Sequence, residues 1–141
     1  MVKRIKCGQK TFGVDIDETM VLMDMFEKGI PDHIDQDSIL WLTSKTGIKV
    51  PCLPHSRHIN IVKQFAARDF TIVAWSAGGE EWAYKIVCAL GLEDVFTYTI
   101  SKFDWIMDDK PASEWLPEKN RIYRNPFNPL KDKEDEVDEV D

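Results

Sequence analysis

The chain is poor in the features that would commit it to a membrane, a secretory route or a disulfide scaffold. In 141 residues no run of about 18 apolar residues occurs, so no membrane-spanning helix is expected. The start, MVKRIKCGQK, is basic but is not followed by an apolar stretch, so it does not read as a secretory signal. The 3 cysteines, Cys7, Cys52 and Cys88, are too few and too scattered for a disulfide framework. Reduced thiols and a cytoplasmic location are the expectation. There is no internal repeat, and no low-complexity segment before the last residues.

Charge of one sign is also scarcer than the net value suggests. The formal net charge is −7, but residues 131–141 (KDKEDEVDEVD) hold seven acids against two bases, which supplies −5 and leaves −2 for the rest. The acidity therefore says little about partners of the body. The tail cannot bury apolar surface and is expected to be a disordered, solvated end. With 43% hydrophobic residues, the remaining length suits one domain, read as residues 1–130.

What is present is an alternation of strands and helices. Thr11 to Asp15 (TFGVD) is a short apolar strand ending in acid. Residues 56–68 (SRHINIVKQFAAR) read as a helix with Ser56 as N-cap and Ile59, Val62 and Ala66 on one face. Residues 70–75 (FTIVAW) suit a strand buried on both faces, broken by Gly78 and Gly79. A helix is expected over 80–90, with Ala83, Ile86, Val87 and Leu90 at helical spacing and Gly91 ending it. Residues 96–100 (FTYTI) and 105–107 (WIM) read as further strands, the latter again ending in acid, and 121–123 as a last edge strand. The stretch 20–54 fits less well: a helix over about 20–28, then a hairpin of 38–43 with 48–52, together a flap inserted after the first strand. The alternation predicts an α/β fold with a parallel sheet covered by helices. In such sheets ligands bind at the carboxyl ends of the strands.

Four predicted strand ends carry acid, hydroxyl, lysine and acid. In Asp15-Ile16-Asp17-Glu18-Thr19 the carboxylates at i and i+2 point the same way if the chain stays extended. Like charges that close call for a cation or a shared proton, and hard oxygens of this kind suit Mg²⁺. Ser76, before Ala77-Gly78-Gly79 and a helix, offers a hydroxyl and backbone N–H groups to an anion; alone it reads first as a plain helix cap. Lys102 can neutralise a transferring phosphoryl group, and Asp108 or Asp109 can complete a metal site.

Taken together, FGVDIDET, IVAWSAGG, Lys102 and WIMDD resemble the haloacid dehalogenase superfamily over about residues 11–110. That resemblance implies a Rossmann-like three-layer parallel sheet and an aspartyl-phosphate intermediate. It implies Asp15 as nucleophile and Asp17 as general acid/base, its backbone carbonyl also binding Mg²⁺. Ser76 matches the hydroxyl that holds phosphoryl oxygens, Lys102 the phosphate-neutralising lysine and Asp108 the last metal ligand. On this reading Asp15, Asp17, Ser76 and Lys102 are catalytic. Thr19, Ser76, Ala77, Gly78 and Lys102 bind substrate, and Asp15, Asp17 and Asp108 hold the metal. Asp109 is the rival of Asp108, and Lys110 that of Lys102. Family dehalogenases generally lack the second acid, so Asp17 points to phosphoryl chemistry. Glu18 departs from the glycine that many members carry there, and DIDET looks closer to the DLDET branch, which includes protein phosphatases.

The expected function is Mg²⁺-dependent phosphomonoester hydrolysis. The expected partner is a phosphorylated substrate: a small molecule, a phosphoprotein or a nucleic-acid end. The alternatives are a phosphate- or metal-binding module with little turnover, and a polynucleotide 3′-end phosphatase; the body's charge neither demands nor rules out nucleic acid. Cys52, His55 and His58 have a spacing that invites zinc, but no second ligand cluster follows and Pro54 interrupts them; His58 is expected on the helix surface. The basic start reads as a frayed end.

Overall fold

A computed structural model describes residues 9–124. The expected start and acidic tail lie outside them. The chain is a mixed α/β structure built on a parallel sheet. Strand β1 (Thr11–Asp15) pairs in parallel with β5 (Thr71–Ser76), which pairs in parallel with β6 (Tyr98–Ser101), in the order β1-β5-β6. The central strand TIVAWS has the β-branched, apolar composition of a strand covered on both faces, and Ile72 and Ala74 have no exposed surface. The register sets Asp15 beside Trp75 and Ser76 beside Ser101, so the three strands finish level with one another.

Helix α1 (Ser56–Ala67) precedes β5 and α2 (Glu80–Ala89) follows it. Helix α2 buries Ala83, Ile86 and Val87, the face its spacing predicts. Burial of a side chain such as Ile86 is worth roughly 1.5–3 kcal/mol. Gly91 follows the helix with φ +70, a left-handed position that favours glycine. In α1 the cap is His55, not Ser56: its Nδ1 accepts from the His58 N–H.

Between β1 and α1 lies a second, antiparallel sheet of β2 (Val21–Leu22), β3 (Leu40–Thr43) and β4 (Lys49–Pro54), in the order β2-β4-β3. The expected hairpin is there, but the expected helix over 20–28 is not. Met20, Val21 and Leu22 are all fully buried, three consecutive positions that a one-sided surface helix cannot hide. The chain instead pairs Val21 with Pro54 and Leu22 with Leu53, then makes a short 3₁₀ turn over Asp24–Phe26. Residues 105–107 form no strand, nor do 121–123. Trp105 is 92% exposed, so among the described residues the apolar composition found no neighbouring strand to pair with or pack on. Among the described residues no helix is long and apolar enough to cross a membrane.

Candidate active site

The loop after β1 is built around a buried side chain. Ile16 extends the ladder, its N–H donating to the Trp75 carbonyl at 3.1 Å, and its side chain has no exposed surface. Alternation along the extended chain therefore turns Asp15 and Asp17 away from the buried Ile16 side. The chain then reverses: Met20 N–H donates back to Ile16 O at 2.9 Å. The reversal needs a left-handed residue, and Glu18 takes it with φ +62. A glycine would be unstrained there; Glu18 instead accepts from the N–H groups of Met23 (2.9 Å) and Asp24 (2.9 Å), which locks the turn. Burial pushes the Glu18 carboxyl above its ordinary value, with the Asp24 carboxylate adding to the rise and the two amides opposing it. Arg124 lies 3.6 Å from Glu18 and 3.5 Å from Asp24, bringing the end of the described chain to this turn.

Each carboxylate is held from both sides. Asp15 accepts from the Thr19 hydroxyl at 2.8 Å and faces the Lys102 ammonium at 3.5 Å. Asp17 accepts from the Ser76 hydroxyl, and from the Trp82 indole N–H at 2.6 Å. Lys102 and Ser76 are tied in turn, since the Lys102 N–H donates to the Ser76 carbonyl at 2.9 Å. The level strand ends thus join Asp15, Asp17, Ser76 and Lys102 in one circuit at the carboxyl edge of the sheet.

Gly78 belongs to this circuit for reasons of space. A Cβ there would stand 3.0 Å from the Trp82 ring and 3.3 Å from Ser76 Oγ. The loop's amides are less available than the sequence implies. Gly78 N–H donates to Ser76 Oγ (3.0 Å), Gly79 N–H to Ser76 O (3.1 Å) and Glu80 N–H to Ser101 Oγ (3.1 Å). Of residues 77–80, Ala77 alone has an amide with no acceptor among the described residues.

Asp108 stands apart. It is exposed, and its carboxylate interacts with its own neighbours: the Asp109 side chain, which lowers its pKa, and the Lys110 amide at 3.4 Å. Asp109 and Lys110 are exposed as well. Among the described residues no three acids, histidines or cysteines gather as a metal site. Mg²⁺ requires only one or two carboxylates because it keeps its waters. Asp15 and Asp17 accord with that donor chemistry, whereas Asp108 is not brought to them.

Three residues adjoin the acid loop in places the sequence reading did not assign them. Trp82 adjoins the buried Ala83 stripe, so its spacing marks it only as a border residue. His58 was expected at the surface but is 5% exposed. It stacks on His55 with ring centroids 3.6 Å apart, and its Nδ1 lies 2.7 Å from the Thr19 carbonyl, beneath the acid loop. Cys52 is fully buried, and burial together with the Asp17 and Glu18 charges pushes its thiol up to about 11. A thiol so raised is protonated at neutral pH and is a poor nucleophile. A groove of about 360 Å³, lined by Ile34, Ser38, Leu53 and Ser56 among others, lies on the inserted sheet and includes none of the acid-loop residues.

Compared with known proteins, the chain matches no family model, no curated protein and no solved structure.

Proposed function

We propose that the chain is a Mg²⁺-dependent phosphomonoester hydrolase of the haloacid dehalogenase type, working through an aspartyl-phosphate. The observation that carries this reading is the circuit itself. A carboxylate beside an ammonium, Asp15 with Lys102 at 3.5 Å, shares a sheet edge with a second carboxylate held by two neutral donors. A solvated acidic turn has no use for such an arrangement.

In the proposed reaction an Asp15 oxygen attacks phosphorus while the bond to the leaving oxygen breaks. Asp17 delivers its proton to that oxygen, then takes a proton from the water that splits the aspartyl-phosphate, releasing phosphate and restoring Asp15. Lys102 offsets charge on the equatorial oxygens, and the Ser76 hydroxyl and Ala77 amide orient them. Mg²⁺, held by Asp15 and the Asp17 carbonyl, would supply further charge neutralisation. Thr19 and Trp82 fix the two carboxylates in place. The free thiols of Cys52 and Cys88 accord with a reducing, cytoplasmic compartment.

One observation favours a second reading, a phosphate-binding module with little turnover: no third acid joins Asp15 and Asp17 among the described residues. Phosphate release from para-nitrophenyl phosphate, with and without Mg²⁺, decides between them. The hydrolase turns over only with the metal, and Asp15→Asn lowers its rate by at least about 10³-fold, since removing a nucleophile leaves only binding and electrostatics. Folded, phosphate-binding protein with no turnover of para-nitrophenyl phosphate or of a broad panel of phosphomonoesters supports the module.

A further inference from the structure

The inserted hairpin carries a cation to the edge of the candidate site. Its tip is a tight turn between β3 and β4: Ser44 N–H donates to Ile48 O at 2.8 Å, Ile48 N–H to Ser44 Oγ at 3.2 Å, and Gly47 N–H to Ser44 O at 3.0 Å. The tip is fastened to the parallel-sheet body, because Lys85 on α2 donates to the Thr43 carbonyl at 2.6 Å. Lys45 sits in this turn. Its Nζ lies 3.7 Å from the position a Cβ would take on Gly79, and that position is 4.0 Å from Ser101 Oγ. Gly79 follows the Ser76 loop, and Ser101 immediately precedes Lys102. A lysine more than thirty residues away in sequence is thus held at the mouth of the site.

Among the described residues its charge meets no opposite charge, although Glu80 and Glu81 open α2 nearby. Lys102, by contrast, is committed to Asp15. The two lysines also serve different places. Lys45 Nζ lies by Gly79, whose Cβ position is also near Ser101, the last residue of β6, whereas Asp15 closes β1, with β5 between; from β6 Lys102 alone is seen to reach across to Asp15. At about 4.8 Å per strand spacing, the two strand ends are roughly 10 Å apart.

We propose that Lys45 is a specificity residue that binds a second anionic group, so that the substrate is a phosphomonoester carrying another phosphate beyond the scissile one. This rests on the phosphohydrolase reading of the same site. A substrate with a single phosphate leaves the Lys45 ammonium in water. One with a second phosphate gains an ion pair at a position already ordered by the hairpin latch.

The test is calorimetric binding of propyl phosphate and of short α,ω-alkanediol bisphosphates to Asp15→Asn, with Lys45 intact, Lys45→Met or Lys45→Glu. With Lys45 intact, a bisphosphate binds more tightly than the monophosphate. The affinity ratio falls roughly fivefold in Lys45→Met, the scale of an exposed ion pair, and further in Lys45→Glu. A ratio that is unchanged by both variants, or no preference with Lys45 intact, overturns the proposal. Turnover of the bisphosphates and of para-nitrophenyl phosphate by the unmodified chain is measured alongside. A Lys45-dependent preference without turnover of any of these compounds overturns the hydrolase reading and leaves Lys45 as an anion-binding residue, whereas turnover without the preference overturns the Lys45 proposal alone.

Discussion

Two segments of this chain are written alike and end in different environments. TFGVD and WIMDD are both short apolar stretches closing in acid. The first is β1: it pairs with β5 along its length, and the loop beyond it wraps a fully buried Ile16 and sets both carboxylates among donors. Among the described residues the second pairs with no strand; Trp105 and Met107 are 92% and 101% exposed, and Asp108 bonds to its own neighbours. The difference teaches that an acid after an apolar run becomes chemistry only where the run is docked. Docking supplies the donors, the partial burial and the opposing charge that turn a solvated carboxylate into a positioned one.

The largest expected effect lies in the docked segment. Asp17→Asn removes the proposed acid/base and lowers Mg²⁺-dependent turnover of an alkyl phosphate by about 10²–10⁴-fold. A rate within a few-fold of the unmodified chain would take Asp17 out of the reaction and make the two segments equivalent after all.

Next comes the floor of that loop. The Cys52 thiol ionises at an ordinary value of 9.0 when unfolded and at about 11 in the fold. A raised value means that the folded state favours the protonated form, so this contribution is complete below pH 9 and is lost as pH rises from 9 to about 11. At 1.36 kcal/mol per unit, up to roughly 2–3 kcal/mol is at stake. Urea unfolding of the unmodified chain and of Cys52→Ala across that range reads it. The unmodified chain should lose its advantage as pH climbs, and parallel curves would show the thiol to be less enclosed than it is here.

Trp82→Phe keeps the ring and deletes the donor to Asp17. A lost hydrogen bond to a charged group is worth about 1.5–3 kcal/mol, so kcat falls at least about tenfold. Loss in KM alone would mean that the indole shapes the pocket and does not position Asp17. The smallest effect belongs to the undocked segment. As an exposed charge remote from the acids, Asp108 contributes little, and Asp108→Asn shifts Mg²⁺ affinity within about twofold. A tenfold loss would show that the segment closes over Asp15 and Asp17 when the metal binds, and the contrast between the two segments would then be a matter of state.

Much of the parallel-sheet region was legible because its periodicities are local. FTIVAW and the Ala83–Ile86–Val87 spacing are records of burial, and the structure buries Ile72 and Ala74 on β5 and all three residues on α2; TFGVD is a strand although only Val14 in it is buried. The helix read over 20–28 failed for the converse reason. Three consecutive buried residues have no helical period, and only pairing with β4 explains them. Ser56 looked like a cap because serine is a good one, but the cap is decided by which side chain reaches the free N–H, and His55 reaches it. His58 was assigned to the surface as a polar residue on a helix, yet a histidine is content inside when it has a carbonyl and a ring to meet.

What the sequence by itself determined was the set of strand ends and the residue types on them: Asp15, Asp17, Ser76 and Lys102 follow from apolar runs that stop in polar residues. What only the tertiary structure decided was who faces whom. Trp82 on Asp17, Arg124 on Glu18 and Lys45 beside Gly79 join residues far apart in the chain. Such contacts leave no trace in local spacing, because they are set by strand register and by where a hairpin is latched. Hydrophobic pattern reports whether a residue is covered; it carries no record of what covers it.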